Sequence, residues 1–254
     1  NGQGNACEFP SIALGYYHSC VLMAGGGVQC WGDNSFRQMG DGTGTDRSTQ
    51  VTVSGLSSGV QAIAAGYAHT CALTTAGGVK CWGYNVDGRL GDGSTTQQSV
   101  PVAVAGLSSE VQAIAAGKDH SCALTIGGGV KCWGNNNYGQ LGDGTTTASL
   151  IPVTVSGLSS GVQAIAAADD RTCVITFGGG VKCWGNNNYG QLGDGTTTAS
   201  LIPVAVVGLS SGVQAISAKG SHSCALTTTG GIKCWGLGLS GQLGNGFANN
   251  SLTP

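Results

Sequence analysis

The residues of this 254-residue chain whose types could do chemistry recur at one fixed step. Ten cysteines fall into pairs: Cys20 with Cys30, Cys71 with Cys81, Cys122 with Cys132, Cys173 with Cys183, and Cys224 with Cys234. Each pair lies 51 residues after the last. The Cys-x9-Cys spacing is too wide for the Cys-x2-4-Cys knuckle of structural zinc sites. The pairs therefore read as disulfides, and so many regular pairs imply an oxidising, extracellular setting, secreted or at a cell surface. The eleventh cysteine, Cys7, has no repeat partner. An intermolecular disulfide is its first reading; a bond elsewhere in the protein and a free thiol are the others.

Histidine recurs too, at His18, His69, His120 and His222, with Arg171 in the remaining place. A ring of histidines suggests a metal, but its members lie a whole repeat apart and Arg171 interrupts them. A structural His bonded to backbone is the expectation. Asp-Gly pairs begin at Asp41, Asp92, Asp143 and Asp194, with Asn245 in the fifth place. A calcium loop needs several alternating carboxylates, and each loop here supplies one, so turn formation is expected. No nucleophile, base and orienting acid recur in a workable arrangement. Neither an enzymatic activity nor a metal or other cofactor is expected.

The elements that must position these residues are read from the second repeat. Val60–Gly66 is a short apolar run closed by Gly, a buried strand. His69–Thr74 and Gly78–Gly83 are two more, and Val100–Val104 follows the long polar loop Tyr84–Ser99. Four evenly spaced strands without a helix signal describe one blade of a β-propeller. The chain reads as all-β, five 51-residue four-stranded blades over 9–254, in a five-bladed or incompletely closed ring. Residues 1–8, carrying Cys7, fall outside the repeat and read as a flexible lead-in. Pro254 aligns with Pro101, so the last outer strand is expected to be cut short.

The hairpin between the second and third strands can be put in register. Pairing Cys71 with Cys81 sets Leu73 against Val79 and His69 against Gly83, and leaves the loop Thr75-Ala76-Gly77. A three-residue loop of this kind wants a left-handed Gly last, and Gly26, Gly77, Gly128, Gly179 and Gly230 supply it. Closing so short a loop by a disulfide stabilises by about 2–3 kcal/mol in the chain-entropy model. The tryptophans Trp31, Trp82, Trp133, Trp184 and Trp235 point to the other face, where they are expected to fill the gaps between blades.

Composition narrows the function. Charged residues are 9% of the chain and the net charge is −2, against a nucleic-acid partner, which needs a basic patch. No run of 18 apolar residues exists, so no transmembrane segment is expected, and the sequence opens without a basic-then-apolar leader. Glycine is abundant, at 47 residues, but without a Gly-X-Y period, which excludes collagen.

The run Gly-Gly-Val-Lys-Cys-Trp-Gly-Asn-Asn-Asn-Tyr-Gly-Gln-Leu-Gly-Asp-Gly, preceded by Ile-Ala-Ala-Gly and His-Ser-Cys-Ala-Leu-Thr, resembles the repeat of the regulator of chromosome condensation family. The Trp-Gly-x-Asn-x-x-Gly-Gln-Leu-Gly core stands at Trp133–Gly142 and Trp184–Gly193, and the resemblance covers roughly residues 9–254. It implies a β-propeller of four-stranded blades. Family propellers usually have seven, and their repeats do not usually carry a cysteine pair; the pairs point to a secreted, bacterial-type branch. Family members serve as exchange factors, receptors, inhibitors and binding platforms, so fold alone does not assign a role.

The third and fourth blades share one unbroken identical stretch from Gly128 and from Gly179. Identical loops are a poor basis for one asymmetric catalytic centre. Lys80, Lys131, Lys182 and Lys233 lie toward one end of the blades and the Asp-Gly loops at the other, a polarity suited to head-to-tail stacking of copies. An unfinished last blade could also accept a strand from a neighbour, with Asn1–Glu8 as donor. The expectation is an extracellular structural or adhesive propeller, a subunit of a cell-surface or filamentous assembly whose partners are other copies of itself. The alternative is a secreted module binding a protein or glycan ligand. Hydroxyl-rich loops suit O-glycosylation, and Asn249-Asn-Ser251 is the one N-glycosylation sequon, placing a candidate glycan on Asn249.

Overall fold

The computed structural model describes residues 11–254, and every regular element among them is a strand. The first blade is β1 (Ser11–Leu14), β2 (His18–Leu22), β3 (Val28–Gly32) and β4 (Arg47–Thr52). The second is β5 (Val60–Ala65), β6 (His69–Thr74), β7 (Val79–Gly83) and β8 (Gln98–Ala103). The third is β9 (Val111–Ala116), β10 (His120–Thr125), β11 (Val130–Gly134) and β12 (Ser149–Thr154). The fourth is β13 (Val162–Ala168), β14 (Arg171–Thr176), β15 (Val181–Gly185) and β16 (Ser200–Ala205). The fifth is β17 (Val213–Lys219), β18 (His222–Thr227) and β19 (Ile232–Gly236). Each blade is an antiparallel meander in chain order. In the fifth the outer strand is reduced to one bridge, Gly236 to Ser251, as the repeat phase predicts.

The hairpin register is the expected one. Cys71 faces Cys81, Leu73 faces Val79 and His69 faces Gly83. Gly77 turns the corner at φ +78°. Thr74 N donates to Gly78 O at 2.8 Å, so alternation puts the cysteines on a non-hydrogen-bonded pair, where Cα atoms come closest. Every blade carries the disulfide expected of it. Cys20 is bonded to Cys30 in the first and Cys71 to Cys81 in the second. Cys122 is bonded to Cys132 in the third, Cys173 to Cys183 in the fourth and Cys224 to Cys234 in the fifth. The Cα–Cα distance is 4.1 Å in all five. Cys30, Cys81, Cys132 and Cys183 are fully buried, whereas Cys234, in the blade at the end of the arc, is partly covered. One boundary differs from the sequence reading: β8 begins at Gln98, because a bulge opposite Trp82 carries the ladder on to a Gly83–Gln98 pair. Val104 leaves the ladder and is buried beneath the loop.

The hydrophobic core is divided. Four clusters each lie across one seam between neighbouring blades. Trp82, Trp133, Trp184 and Trp235 are each fully buried against the preceding blade. Their indole Nε1 groups donate to the carbonyls of Gln38, Arg89, Gln140 and Gln191 at 2.9–3.0 Å. Trp31, in the first blade, is only partly covered, beside Ser48, Thr49 and Gln50. Inner-strand packing runs from β1 through β5, β9 and β13 to β17, and no comparable packing joins β17 to β1. The described arc is therefore an incompletely closed ring.

Two turns depart from the repeat: Arg37, at φ +63°, stands where Gly88, Gly139, Gly190 and Gly241 recur, and Glu110 is the other. Gly59, Gly161 and Gly212 precede an inner strand with φ of +77°, +85° and +73°, and Glu110 holds the same place at φ +65°. A side chain there is strained relative to Gly. Glu110→Gly is expected to raise stability by about 1 kcal/mol, since relief of strain outweighs the added freedom of the unfolded chain. A urea midpoint that falls would show that the Glu side chain makes a compensating contact.

Candidate functional site

Strand alternation sends two kinds of connection to one end of the ring. The short turns between first and second strands gather at the axis, and the long loops between third and fourth strands surround them. The hairpin tips occupy the opposite end. All six tyrosines of the chain fall on the first end: Tyr16, Tyr17 and Tyr67 in axial turns, Tyr84, Tyr138 and Tyr189 in long loops. Every aspartate lies there too, whereas Lys80, Lys131, Lys182 and Lys233 sit in the third strands toward the hairpin tips.

The axial turns differ from one another, although the strands beside them are nearly the same. They carry Tyr16-Tyr17, Tyr67-Ala68, Lys118-Asp119, Asp169-Asp170 and Gly220-Ser221. Each is tied at its base as a tight antiparallel turn: Gly66 N, for example, donates to His69 O at 2.9 Å. The three tyrosine rings pack together, Tyr16 on Tyr67 at 5.0 Å and Tyr17 on Tyr67 at 5.7 Å between centroids. Lys118 reaches over Tyr67 and Lys219 over Tyr16. The Tyr16 hydroxyl crosses the axis and donates to Asp169. Burial and that bond to a carboxylate push the Tyr16 hydroxyl well above the usual phenol range, so it is a fixed donor. Burial also raises Asp170, with Lys118 opposing. All five blades thus meet through side chains at one mouth, in which Tyr16 and Tyr17 remain 42% and 61% exposed.

A second aromatic group adjoins the seam of the first two blades. Phe36 packs on Tyr84 at 4.6 Å, and the Arg89 guanidinium lies 4.7 Å over the Tyr84 ring. Arg89 is itself buried and held by Asp87 at 2.9 Å and by Asp119. A surface of tyrosines beside fixed charges can stack on and hydrogen-bond a partner while losing little side-chain entropy.

The residues singled out in the sequence lie elsewhere. The paired cysteines staple the hairpins within each blade, and the second members, Cys30, Cys81, Cys132, Cys183 and Cys234, sit in the third strands away from the mouth. The Asp-Gly loops are self-satisfied: Asp41 accepts from Thr43 N at 2.9 Å, from Asn34 Nδ2 at 3.2 Å and from Arg47. Partial burial opposes ionisation of Asp41, but the bonds from Thr43, Arg47 and Asn34 outweigh it and hold the carboxyl below its usual range. Among the described residues no group of three or more His, Cys, Asp or Glu is placed to hold a metal. His18, His69 and His120 are buried in the seams, but their rings meet hydroxyl groups of the next blade and not backbone. Asn249 is exposed, and Cys7 lies outside the described residues. No described helix is long and apolar enough to cross a membrane. Sequence reasoning passed over the axial turns; the signal was there, in two variable residues ahead of each strand that opens with His or Arg171.

Comparison with known proteins gives one consistent picture. The sequence model of the RCC1-like domain matches residues 2–254. The chain is 32% identical over 248 residues to the Arabidopsis thaliana ultraviolet-B receptor UVR8, covering 96% of this chain and 56% of the relative. It is 36% identical over 206 residues to the Homo sapiens probable E3 ubiquitin-protein ligase HERC4, covering 79% of this chain and 20% of that one. The chain thus spans about half or less of these relatives. Among solved structures, human WBSCR16 matches with a TM-score of 0.83 at 29% identity, over 96% of this chain and 65% of that one. Yeast RCC1 bound to Kap60 matches with a TM-score of 0.84 at 22% identity, over 96% and 60%, a likeness of fold.

Proposed function

Because this chain belongs to the RCC1-like domain family, we propose that it is an extracellular binding propeller that takes a protein partner on its tyrosine-lined end. The observation that carries the reading is the gathering of all six tyrosines on one end of the ring, the inner three in dissimilar turns that converge on the axis. A framework protein has no use for such divergence, whereas a binding site is made of it. Tyr and Arg are the residues that most often dominate protein interfaces. Five disulfides support a place outside the cell. The solved complex of yeast RCC1 with Kap60 is a protein of this fold holding a protein partner.

The structural reading keeps one supporting observation, the identical loops of the third and fourth blades. Those loops lie at the rim, away from the Tyr16–Tyr17–Tyr67 group. The test uses the whole chain as bait against the extracellular fraction of its source. A partner is expected to be retained by the wild type and by a hairpin-tip control, Ile126→Ser with Phe177→Ser. Tyr17→Ser with Tyr67→Ser is expected to weaken retention by about 30-fold or more, the scale of a 2 kcal/mol hot spot. Equal retention by both variants would overturn the proposal. A glycan array bound in a Tyr67-dependent way would replace the protein partner with a sugar.

A further inference from the structure

Three of the seams contain a relay of three groups. His18 Nε2 lies 2.8 Å from Thr70 Oγ1, and Thr70 Oγ1 donates to Gln38 O at 2.9 Å. His69 meets Ser121 at 2.9 Å, and Ser121 donates to Arg89 O at 3.0 Å. His120 meets Thr172 at 2.9 Å, and Thr172 donates to Gln140 O at 3.0 Å. A hydroxyl has one proton, and here the carbonyl receives it. The ring nitrogen must therefore be the donor, which fixes the tautomer: Nε2 carries hydrogen and Nδ1 does not. Nδ1 of His18, His69 and His120 is buried with no partner. The ring also presses on the glycine at the base of its own turn. A Cβ on Gly15, Gly66 or Gly117 would lie 2.2 Å from the ring carbon between the nitrogens. The pocket has no room for water beside Nδ1 on that side.

The fourth seam is built differently. Arg171 replaces the His and donates from Nε to Ser223 Oγ at 3.2 Å, while its terminal nitrogens donate to Gly220 O and His222 O. All its bonds suit a permanent cation. Burial lowers its pKa to about 10, against the pull of Asp169 and Asp170, so it stays charged through the neutral and acid range.

We propose that the seams closed by His18, His69 and His120 are proton-operated latches, which loosen when Nδ1 takes up a proton from solvent while the Arg171 seam stays shut. A proton on Nδ1 places a buried cation on an atom that has no hydrogen-bond partner in the closed seam, where the carbonyls of Gly66, Gly117 and Ala168 border the same glycines without bonding the ring. The charged groups around the rings do not offset it. Asp33 favours charge on His18 weakly; Arg89, held by Asp87 and Asp119, opposes charge on His69 and His120; the other two rings oppose it on His69. Burial is the first cause in each case, taking His18 to about 4 and His120 to about 3, and His69 well below its usual value. A solvated His titrates near 6.5. The folded value is the lower one, so the closed seam is fully favoured above about pH 6.5 and loses ground as pH falls toward the folded values. Asp170, raised by burial, works in the opposite sense, and it lies at the Arg171 seam.

Hydrogen exchange followed by mass spectrometry on the whole chain at pH 7 and pH 5, corrected for intrinsic rates, reads each seam separately. Protection in β6, β10 and β14 is expected to fall roughly 20–30-fold between these pH values, and that in β18 to change little. Equal loss at all four seams, or none at any, would overturn the proposal. Substituting His18→Gln, His69→Gln and His120→Gln together keeps a neutral donor and should flatten the pH response. If that variant does not fold, Arg171→His decides: β18 is expected to become acid-sensitive, and an unchanged β18 in a folded variant would refute the latch.

Discussion

Trp133→Ala is expected to destabilise the chain by about 3–5 kcal/mol, the range for removing a large buried aromatic side chain. Trp133 is fully buried in a cluster with Leu73, Val79, Leu90 and Val104 of the preceding blade. Its indole nitrogen bonds Arg89 O at 2.9 Å. The site has little freedom to collapse, because the indole lies against Gly91 so closely that a Cβ there would meet Nε1 at 2.7 Å. Trp31 supplies the internal control. It belongs to the same repeat position but has no preceding blade among the described residues, and Trp31→Ala should cost less than about 1 kcal/mol, in the range of surface changes. Trp133→Phe should fall between, since Ser121 still donates to the carbonyl that loses the indole. Urea unfolding followed by circular dichroism measures all three. Equal costs at Trp31 and Trp133 would mean that the seam is not where the tryptophan acts.

Arg171→Met is the second large effect, expected to cost about 3–5 kcal/mol, comparable to breaking a buried charge network. Methionine fills much of the volume but leaves Ser223, Gly220 O and His222 O without their donors, and unsatisfied buried groups are the expensive outcome. Arg171→Lys should rescue poorly, because a single ammonium cannot span three acceptors held in a fork. Arg171→His should rescue well at pH 7, since His18, His69 and His120 bond a hydroxyl at the same sequence separation of 52. The order His above Lys above Met in thermal midpoint is the checkable result. Lys matching Arg would show that charge, and not the fork, holds the seam.

Local features were legible in the sequence, and features assembled across the ring were not. The Cys71–Cys81 register could be read because three constraints lie within eleven residues: a cysteine pair, a turn glycine and strand alternation. The same reading carried to Cys30, Cys132, Cys183 and Cys234, each ten residues after its partner. Trp82 could be placed by the same alternation. The partner of His69 could not, because Ser121 is one repeat and one residue away, and no local pattern distinguishes a hydroxyl acceptor from a carbonyl. The tyrosine mouth was hidden for a similar reason. Tyr16 meets Tyr67 and Asp169 only after the blades have turned about the axis. Ring closure depends on the angle between blades, set by side-chain volumes in four seams rather than by any motif. Glu110 was invisible because its left-handed backbone is imposed by the turn around it, where the other repeats use Gly.

The division of the core into four shared clusters has a consequence for how the chain comes apart. Its stability is a sum over neighbours, like that of a linear array, with no keystone that every blade touches. Loss of an end blade subtracts one coupling and leaves the remainder intact. A fault in an interior coupling separates two shorter arrays, each able to persist or fray alone. Denaturant should then melt the chain in stages from its ends, and the sharpness of the transition should report the weakest interior coupling instead of the mean.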